Sequence, residues 1–560
     1  MKQRIMNLNP SQIEAINNPH PRILVSAAPG AGKTRVYIER IKRMVADGIN
    51  PRTIIAVTFT NNAAAEIQRR LGETVKLGYV GTLHGFLLRL LQEHGAIIGL
   101  ASKLTVLDEV EAEACRKDAE TKLSYKGTAK AVDAQISLGV GCFRGSCYKP
   151  KSDAERVSFE YYFGLLTTGC ITFDMILDLG LELVQHLARP EIGQYRHIRN
   201  FEHLLVDEYQ DANGVDAQIY DALPVKTRFF VGDARQSIFG FRGGDINVML
   251  SEAARPETKC LSLVENYRSA LSICSAANRL MSHGNIGMAD IICANPDIEG
   301  DFVFVAHDIA ATEQSVIANE IKTLIAGSTA PDEIAVLLRT NSLCAEFRQT
   351  FESFGVPLKK KKAVENPLGW KQAKAFIAML TNPESDRLAY KFVELKNGTE
   401  AAQKLQRAAV DNFSTINQDF LHIRNMQIED VTTAMVQANL ERESIGRIRQ
   451  LIETLQPGAS LLELQSAMMV QEAESCMEGP GVTVSTCHAA KGMEYEVVYI
   501  PAMEEGIFPS RGDVEEERRL FYVAITRAKR IAVVSWCKQR VVKWSGLQQR
   551  ERSRFINDVR

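Results

Sequence analysis

The stretch Ala27-Ala28-Pro29-Gly30-Ala31-Gly32-Lys33-Thr34 constrains this chain more than any other. It follows a short apolar run, Ile23-Leu24-Val25, and opens a helical pattern through Val36, Ile38, Ile41, Met44 and Val45. In a strand–loop–helix of this kind, backbone N–H groups wrap phosphate oxygens and the helix N-terminus adds partial positive charge. Gly30 and Gly32 allow close backbone approach. Lys33 is placed to reach the outer phosphates, and the Thr34 hydroxyl to hold Mg²⁺. The generic pattern wants glycine where this chain has Ala27.

A chain of 560 residues is too long for one core, so several domains are expected. At 45% hydrophobic and 24% charged it has the balance of a soluble globular protein. A formal net charge of −2 excludes a uniformly basic nucleic-acid coat but leaves room for a local basic groove. The polar N-terminus and the lack of any long apolar run argue against a signal peptide or a membrane partner. Eleven cysteines without a disulfide-scaffold spacing suggest reduced thiols and a cytoplasmic location. Cys115, Cys142, Cys147 and Cys170 could gather around a metal; without a C-x-x-C pair, unpaired thiols are the plainer reading.

Taken in order, Gln12 precedes the loop with an amide able to pair with both edges of adenine, although a surface glutamine is the simpler reading. Ile54-Ile55-Ala56-Val57 is a buried strand that runs into Thr58-Phe59-Thr60-Asn61 and a helix. Tyr79-Val80-Gly81-Thr82-Leu83-His84 repeats that plan. Residues at strand C-termini face the ligand crevice of an open α/β sheet, though each could equally cap a helix. The alternation lapses from about Leu91 to Cys170, an inserted domain. It returns at His203-Leu204-Leu205-Val206-Asp207-Glu208, a strand ending in two acids: Asp207 to hold Mg²⁺ through water, Glu208 to orient and deprotonate the attacking water. A second α/β region starts near Leu263 without a second glycine–lysine loop, and residues 381–479 form a second, polar helical insertion.

Here the chain resembles the superfamily 1 DNA helicases of the UvrD, Rep and PcrA type. The resemblance runs in order through Gln12, the loop Ala27–Thr34, Thr58–Asn61, Gly81–His84, Val206–Asp211, Gly232–Ile238, Glu265–Ser269, Thr486–Glu494 and Glu515–Lys529. Members of that family also begin the loop with alanine. It implies an α/β fold of two RecA-like P-loop NTPase domains with parallel sheets, each interrupted by a mainly helical insertion. The first domain would comprise 1–90 and 171–262, with insertion 91–170. The second would comprise 263–380 and 480–560, with the short insertion 381–479.

The resemblance further implies an ATP-dependent 3′→5′ helicase or translocase that uses ATP and Mg²⁺ on single-stranded DNA and at single-strand/duplex junctions, in repair, replication or recombination. Nucleotide would lie against Gln12, Ala28, Pro29, Gly30, Ala31, Gly32, Lys33, Thr34, Tyr267 and Glu494. Turnover would fall to Lys33, Asp207, Glu208, the γ-phosphate sensor Gln236 and the arginine fingers Arg268 and Arg527. Thr34 and Asp207 would hold the metal. Phe59, Thr60, Asn61, Thr82, His84, Phe241, Arg242 and His488 would line the single-strand track.

Phe241 stands where relatives usually carry tryptophan, and the second insertion is shorter than theirs. That shortening keeps open the rival reading of a translocase that strips proteins from DNA; a second rival, compatible with the lack of an evident nuclease-type acidic cluster, is a motor subunit that recruits a nuclease or another repair protein. Near the C-terminus, Val541-Val542 and Ser545-Gly546 suit a hairpin. Relatives carry an aromatic at the tip of such a hairpin, which points to Trp544 as a strand-separating wedge with Arg540 and Lys543 near phosphates. The alternative is a tryptophan buried against the second domain.

Overall fold

The computed structural model describes residues 8–72, 75–101, 104–136, 150–189, 200–240, 243–287, 289–361, 367–381, 386–398, 400–401, 403, 428–455, 459–473, 477–510, 512–542 and 546–560. Its frame is two six-stranded sheets. The first runs Tyr79–Gly81, Ile54–Val57, His203–Val206, Thr227–Gly232, Arg22–Ala27, Lys259–Leu263, and every pair is parallel. Its inner strands are continuous apolar runs because helices cover both faces; Ile54–Val57 and His203–Val206 are buried at every position.

The second sheet runs Asp301–Ile309, Ala528–Val542, Tyr495–Ile500, Ile334–Leu338, Thr483–Thr486, again parallel. Gly546–Gln549 adds antiparallel to the far end of Ala528–Val542. Both sheets are therefore built of strand–helix crossovers, and the chain leaves each strand's C-terminal end into a loop or a helix N-terminus.

The two stretches that break the alternation form separate helical bodies. In the first, helices Glu109–Lys122, Ala129–Ile136 and Asp153–Thr167 pack beside a two-stranded pairing of Thr105–Leu107 with Cys170–Thr172. In the second, Trp370, Phe376, Phe392, Ile448 and Leu464 share a core of their own, which includes the helix Pro367–Thr381. The bodies meet: the Gln465 amide donates to the Val106 carbonyl at 2.7 Å, and Lys391 pairs with Glu111 at 2.6 Å. Among the described residues no helix is long and apolar enough to cross a membrane.

Candidate active site

The glycine loop leaves the buried strand Arg22–Ala27 and turns through two left-handed residues, Gly30 at φ +71° and Gly32 at φ +82°. A side chain at Gly30 is excluded twice over, since a Cβ there would lie 2.8 Å from Arg268 Cβ and 2.9 Å from Asn266 Oδ1. Helix Lys33–Ala46 starts directly from Gly32 with no side-chain cap, so its first-turn N–H groups face the loop's own concavity, a cradle that suits an anion. Thr34 lies in that first turn, Ala28 and Ala31 are buried behind the loop, and Pro29 lies between Ala28 and Gly30 at its turn.

Gln12 is buried and donates to the Ala31 carbonyl at 3.0 Å, while its amide oxygen closes a capping box with Asn9. Tyr267 reaches the same loop from the other side: its N–H donates to the Gly30 carbonyl at 3.1 Å and its hydroxyl accepts from Asn9 at 2.9 Å. Gln12 and Tyr267, 255 positions apart in sequence, thus flank one loop.

The strand His203–Val206 ends in Asp207, buried, and Glu208, held at φ 52° in the left-handed region that costs a non-glycine residue. The Glu208 N–H donates to Asp207 Oδ1 at 2.9 Å, and Lys33 Nζ stands 3.4 Å from Glu208 Oε2. Gln210 donates to the same carboxylate, and its amide oxygen accepts the Asp233 N–H at 2.9 Å. Burial and the adjacent Glu208 charge push the Asp207 carboxyl up. Burial alone would raise Glu208 too, but Lys33, Lys491 and the Gln210 hydrogen bond outweigh it and hold Glu208 down as a firm carboxylate. Two acids with environments that drive them apart form a site able to bind a cation on one side and accept a proton on the other.

Side chains of the second sheet close the cleft. Gln236 donates to Asp233 Oδ2 at 2.9 Å and accepts from Arg527 at 3.4 Å. Arg527 is only 2% exposed, anchored on the Val523 and Met493 carbonyls at 3.0 and 3.3 Å. Burial first, then neighbouring Arg268, brings its guanidinium down to about 10, so it stays charged at neutral pH. Arg268 pairs with Glu494 and donates to the Thr526 carbonyl at 3.3 Å. The Gly30, Gln236, Arg268, Glu494 and Arg527 positions therefore come together around one cleft.

Sequence reasoning missed the contacts that hold the two halves of this cleft together. Lys491 grips Asp211 at 2.7 and 2.5 Å and the Gln236 carbonyl at 2.9 Å. Arg519 donates to the Ser237 carbonyl at 2.7 Å, and the Tyr522 hydroxyl to Asp233 at 3.4 Å. All five side chains stand inside the matched segments, and opposite charge at Asp211 and Lys491 was the available signal.

The expected track residues divide. Phe59 is 40% exposed and stacks on Phe239, centroids 5.7 Å apart and planes 9° from parallel, with Lys491 Nζ 4.9 Å from the Phe239 centroid. Phe239 was not among the expected residues. Thr60 and Thr82 cap helices Asn61–Leu71 and Leu83–His94, each accepting an N–H at 3.1 Å. Asn61 and Thr82 line a crevice whose other wall is Thr454, Leu455 and Glu463 of the second helical body. His84 stacks on Phe173 at 4.0 Å, and burial takes its imidazole down to about 4, so it is neutral. His488 is half-buried in the turn after Thr483–Thr486, its carbonyl accepting the Lys491 N–H at 3.2 Å.

Phe241, Arg242, Lys543 and Trp544 lie outside the described residues, as do Cys142 and Cys147. The hairpin pairs Gln539–Val542 with Gly546–Gln549. Arg540 corrects an expectation: it is 4% exposed and points inward to Glu313 and Glu504 rather than toward phosphates.

A phosphate loop, paired acids and cross-cleft arginines on two parallel sheets match a known family. The model of the UvrD/REP helicase N-terminal domain covers residues 8–256, and that of the UvrD-like helicase C-terminal domain covers 261–366 and 363–539. The chain belongs to the UvrD/Rep helicase family. It is an enzyme, an ATP-dependent DNA helicase. Relatives include the ATP-dependent DNA helicase PcrA of Staphylococcus epidermidis strain ATCC 35984, 26% identical over an alignment of 650 residues that spans 100% of this chain and 87% of the relative. The PcrA of Staphylococcus aureus strain MRSA252 is 25% identical over 647 residues, with the same coverage.

Proposed function

We propose that this UvrD/Rep-family helicase steps 3′→5′ along single-stranded DNA by opening and closing the cleft between its two sheets, and that it opens duplexes at single-strand/duplex junctions during repair, replication or recombination. The moving bodies would be two RecA-like domains, 1–90 with 171–262 and 263–380 with 480–560, each carrying its helical insertion, except that helix Pro367–Thr381 would go with the second insertion whose core it shares.

The observation that carries the reading is the cross-cleft set: Arg527 on Gln236, Lys491 on Asp211 and Tyr267 on Gly30, each joining the second half of the chain to the loop-bearing half. A nucleotide bound to Ala28–Thr34 meets side chains of both halves, so its presence changes how they fit. Gln12 and Tyr267 flank the adenine, and Lys33 offsets charge on the outer phosphates. Glu208, held ionised, accepts the proton of the attacking water. Gln236 senses the γ-phosphate, and Arg268 and Arg527 stabilise charge on the transferred phosphoryl group. Thr34 and Asp207, a hydroxyl and a buried carboxylate beside the loop, suit Mg²⁺, which would neutralise phosphate charge when bound. Glu494 bridges Arg268 to the nucleotide edge.

On the DNA side, the exposed Phe59 and its partner Phe239 offer stacking faces. Asn61, Thr60, Thr82, His84 and His488 would continue the track with Phe241 and Arg242, and Trp544 would stack on the last base pair. The test is ATP turnover with and without single-stranded DNA, followed by strand displacement on duplexes with a 3′ or a 5′ tail. Turnover stimulated by DNA and displacement from the 3′ tail are expected. Displacement only from the 5′ tail would overturn the polarity, and turnover indifferent to DNA would overturn the coupling.

A further inference from the structure

Two strands of the second sheet each connect the nucleotide cleft to the base of the hairpin. Strand Tyr495–Ile500 begins next to Glu494, which pairs with the finger Arg268, and the chain continues beyond it to Glu504. Strand Ala528–Val542 begins next to Arg527 and runs 15 residues without a break into the hairpin. At roughly 3.3 Å per residue it spans about 50 Å. The two strands pair in parallel from Tyr495 to Ile500, and beyond that ladder the Met503 N–H still donates to the Ser535 carbonyl at 3.0 Å.

On its other edge the long strand stays paired with Asp301–Ile309 as far as Gln539, so only the hairpin beyond Gln539 projects from the sheet. Gln539–Val542 pairs with Gly546–Gln549, and Val541 and Leu547, opposite one another, are 70% and 59% exposed. A lone two-stranded hairpin is marginal in water. Backbone bonds such as Arg550 N–H to the Lys538 carbonyl at 2.7 Å close its base, and the side chains that anchor it there form a buried ion cluster. Arg540 donates to Glu504 at 2.8 Å through Nε and through Nη2, and to Glu313 at 2.6 Å. Both glutamates are fully buried. Glu504 also accepts the Cys537 N–H at 2.9 Å, and Glu313 accepts the Ser535 hydroxyl at 2.7 Å and the Ala502 N–H at 3.1 Å. Glu313, Glu504 and Cys537 are close enough to share a metal ion, but the cation between them is the Arg540 guanidinium.

Charges this deep are costly to desolvate, and an apolar core would serve stability as well. Their geometry is what an apolar core would lack. Arg540 cross-links the far end of the Arg527-bearing strand to the far end of the Glu494-bearing one and to the start of helix Ala310–Ala326.

We propose that the Arg540–Glu504–Glu313 cluster is the positioning element that makes the hairpin move with the nucleotide cleft, so that rearrangement at Arg268 and Arg527 is delivered to the strand-separating tip instead of being lost in hairpin flexing. This rests on the proposed role of the hairpin in unwinding. The three residues touch neither nucleotide nor DNA; they act through the strands that they join.

Removing Arg540 alone would leave two buried carboxylates without a counter-charge, so the full chain is made with the cluster replaced by apolar side chains, Arg540→Met with Glu313→Leu and Glu504→Met. Arg540→Lys is the conservative companion. Three quantities are read: melting temperature, DNA-stimulated ATP turnover, and base pairs opened per ATP on a 3′-tailed duplex. The triple variant should melt cooperatively, keep turnover within about twofold, and open about tenfold fewer base pairs per ATP, with Arg540→Lys recovering part of the loss. Unchanged base pairs per ATP in the triple variant would overturn the inference. So would a parallel fall in turnover and unwinding, or failure of both variants to fold, since the cluster would then serve stability alone. Trp544→Ala separates the two levels of the argument: loss of unwinding there but not in the triple variant refutes the coupling and spares the hairpin's role. No loss in Trp544→Ala refutes that role and the inference with it.

Discussion

Phe239→Ala tests whether the aromatic pair at the cleft mouth is a DNA contact or ordinary packing. In the protein the ring faces Phe59 at 5.7 Å on one side and has Lys491 at 4.9 Å. Phe239 is half-buried and Phe59 is 40% exposed, so truncation removes little from the core. The folding cost is the aromatic pair, about 0.5–1.5 kcal/mol, plus a cation–π contact of about 0.5–1 kcal/mol. A base stacked on the ring contributes about 1–3 kcal/mol, a factor of about 5 to 150 in Kd. Fluorescence anisotropy with an oligothymidine at fixed salt reads that factor, and calorimetry reads the melting temperature. Phe351→Ala supplies the contrast: its ring is fully buried behind the second sheet, and such a truncation costs about 3–5 kcal/mol of stability. Phe239→Ala should weaken DNA binding with a small melting shift, and Phe351→Ala should do the reverse. If Phe239→Ala lowers the melting temperature as Phe351→Ala does and leaves Kd unchanged, the stacking argument fails.

Lys33→Ala should abolish ATP turnover while the chain stays folded, because the lysine's contribution to the transferred phosphoryl group is several kcal/mol; near-normal turnover would remove the loop from the mechanism. Arg268→Ala and Arg527→Ala should each retain nucleotide binding and lose about a thousandfold in turnover, but only the second should also lower the melting temperature, since Arg527 is buried on three carbonyl and amide oxygens and Arg268 is not. Equal melting shifts would contradict the difference in burial. His84 gives a pH signature: its folded imidazole titrates at about 4, below the usual value near 6.5, so the folded state binds fewer protons in that window. Stability is complete above about pH 6.5 and falls toward pH 4, by up to about 3 kcal/mol. Denaturant melts at pH 7 and pH 4.5 should show His84→Phe losing less stability on acidification than the unaltered chain.

What was legible in the sequence is local. A strand, two glycines and a lysine specify an anion cradle within a dozen residues, and Asp207-Glu208 at a strand end needs only its own strand to be placed. Thr60 and Thr82 were open to two readings, track or cap. Their hydroxyls do cap helices, a task that a contact with DNA would have to share. The contacts that join the halves were not legible, because Lys491 and Asp211 are 280 positions apart and nothing in either segment names the other. Arg540 misled for a related reason. An arginine in a hairpin reads as a solvent-facing charge, and one of the two buried acids that hold it, Glu313, stands 227 positions upstream in the first turn of a helix. The helix Pro367–Thr381 was not legible as part of the second helical body either: the pattern puts the start of that insertion at 381, yet Trp370, Phe376 and Ile377 pack in its core.

The pairing of charges in the cleft suggests how chemistry becomes movement. Lys33 lies on Glu208, Lys491 on Asp211 and Arg268 on Glu494, so three of the cleft's cations already have an acid, while Arg527 rests on carbonyl and amide oxygens. A nucleotide's phosphates carry enough negative charge to compete for several of these cations at once. In the proposed mechanism, drawing Lys33 toward phosphate would free Glu208 for the attacking water, and drawing Arg268 away from Glu494 would shift the start of the strand that leads to Glu504. The pair Lys491–Asp211 responds differently, because its partners sit on opposite halves of the chain. Any change in the separation of the halves stretches it, and with it the Lys491 contact over Phe239. One lysine therefore feels both the width of the cleft and the aromatic faces of the track. A buried pair at 2.5 Å is weakly screened, so it favours two discrete arrangements over a continuum. On this proposal hydrolysis, by removing the phosphate that competes for the cations, would return the acids to their original partners and reset the separation.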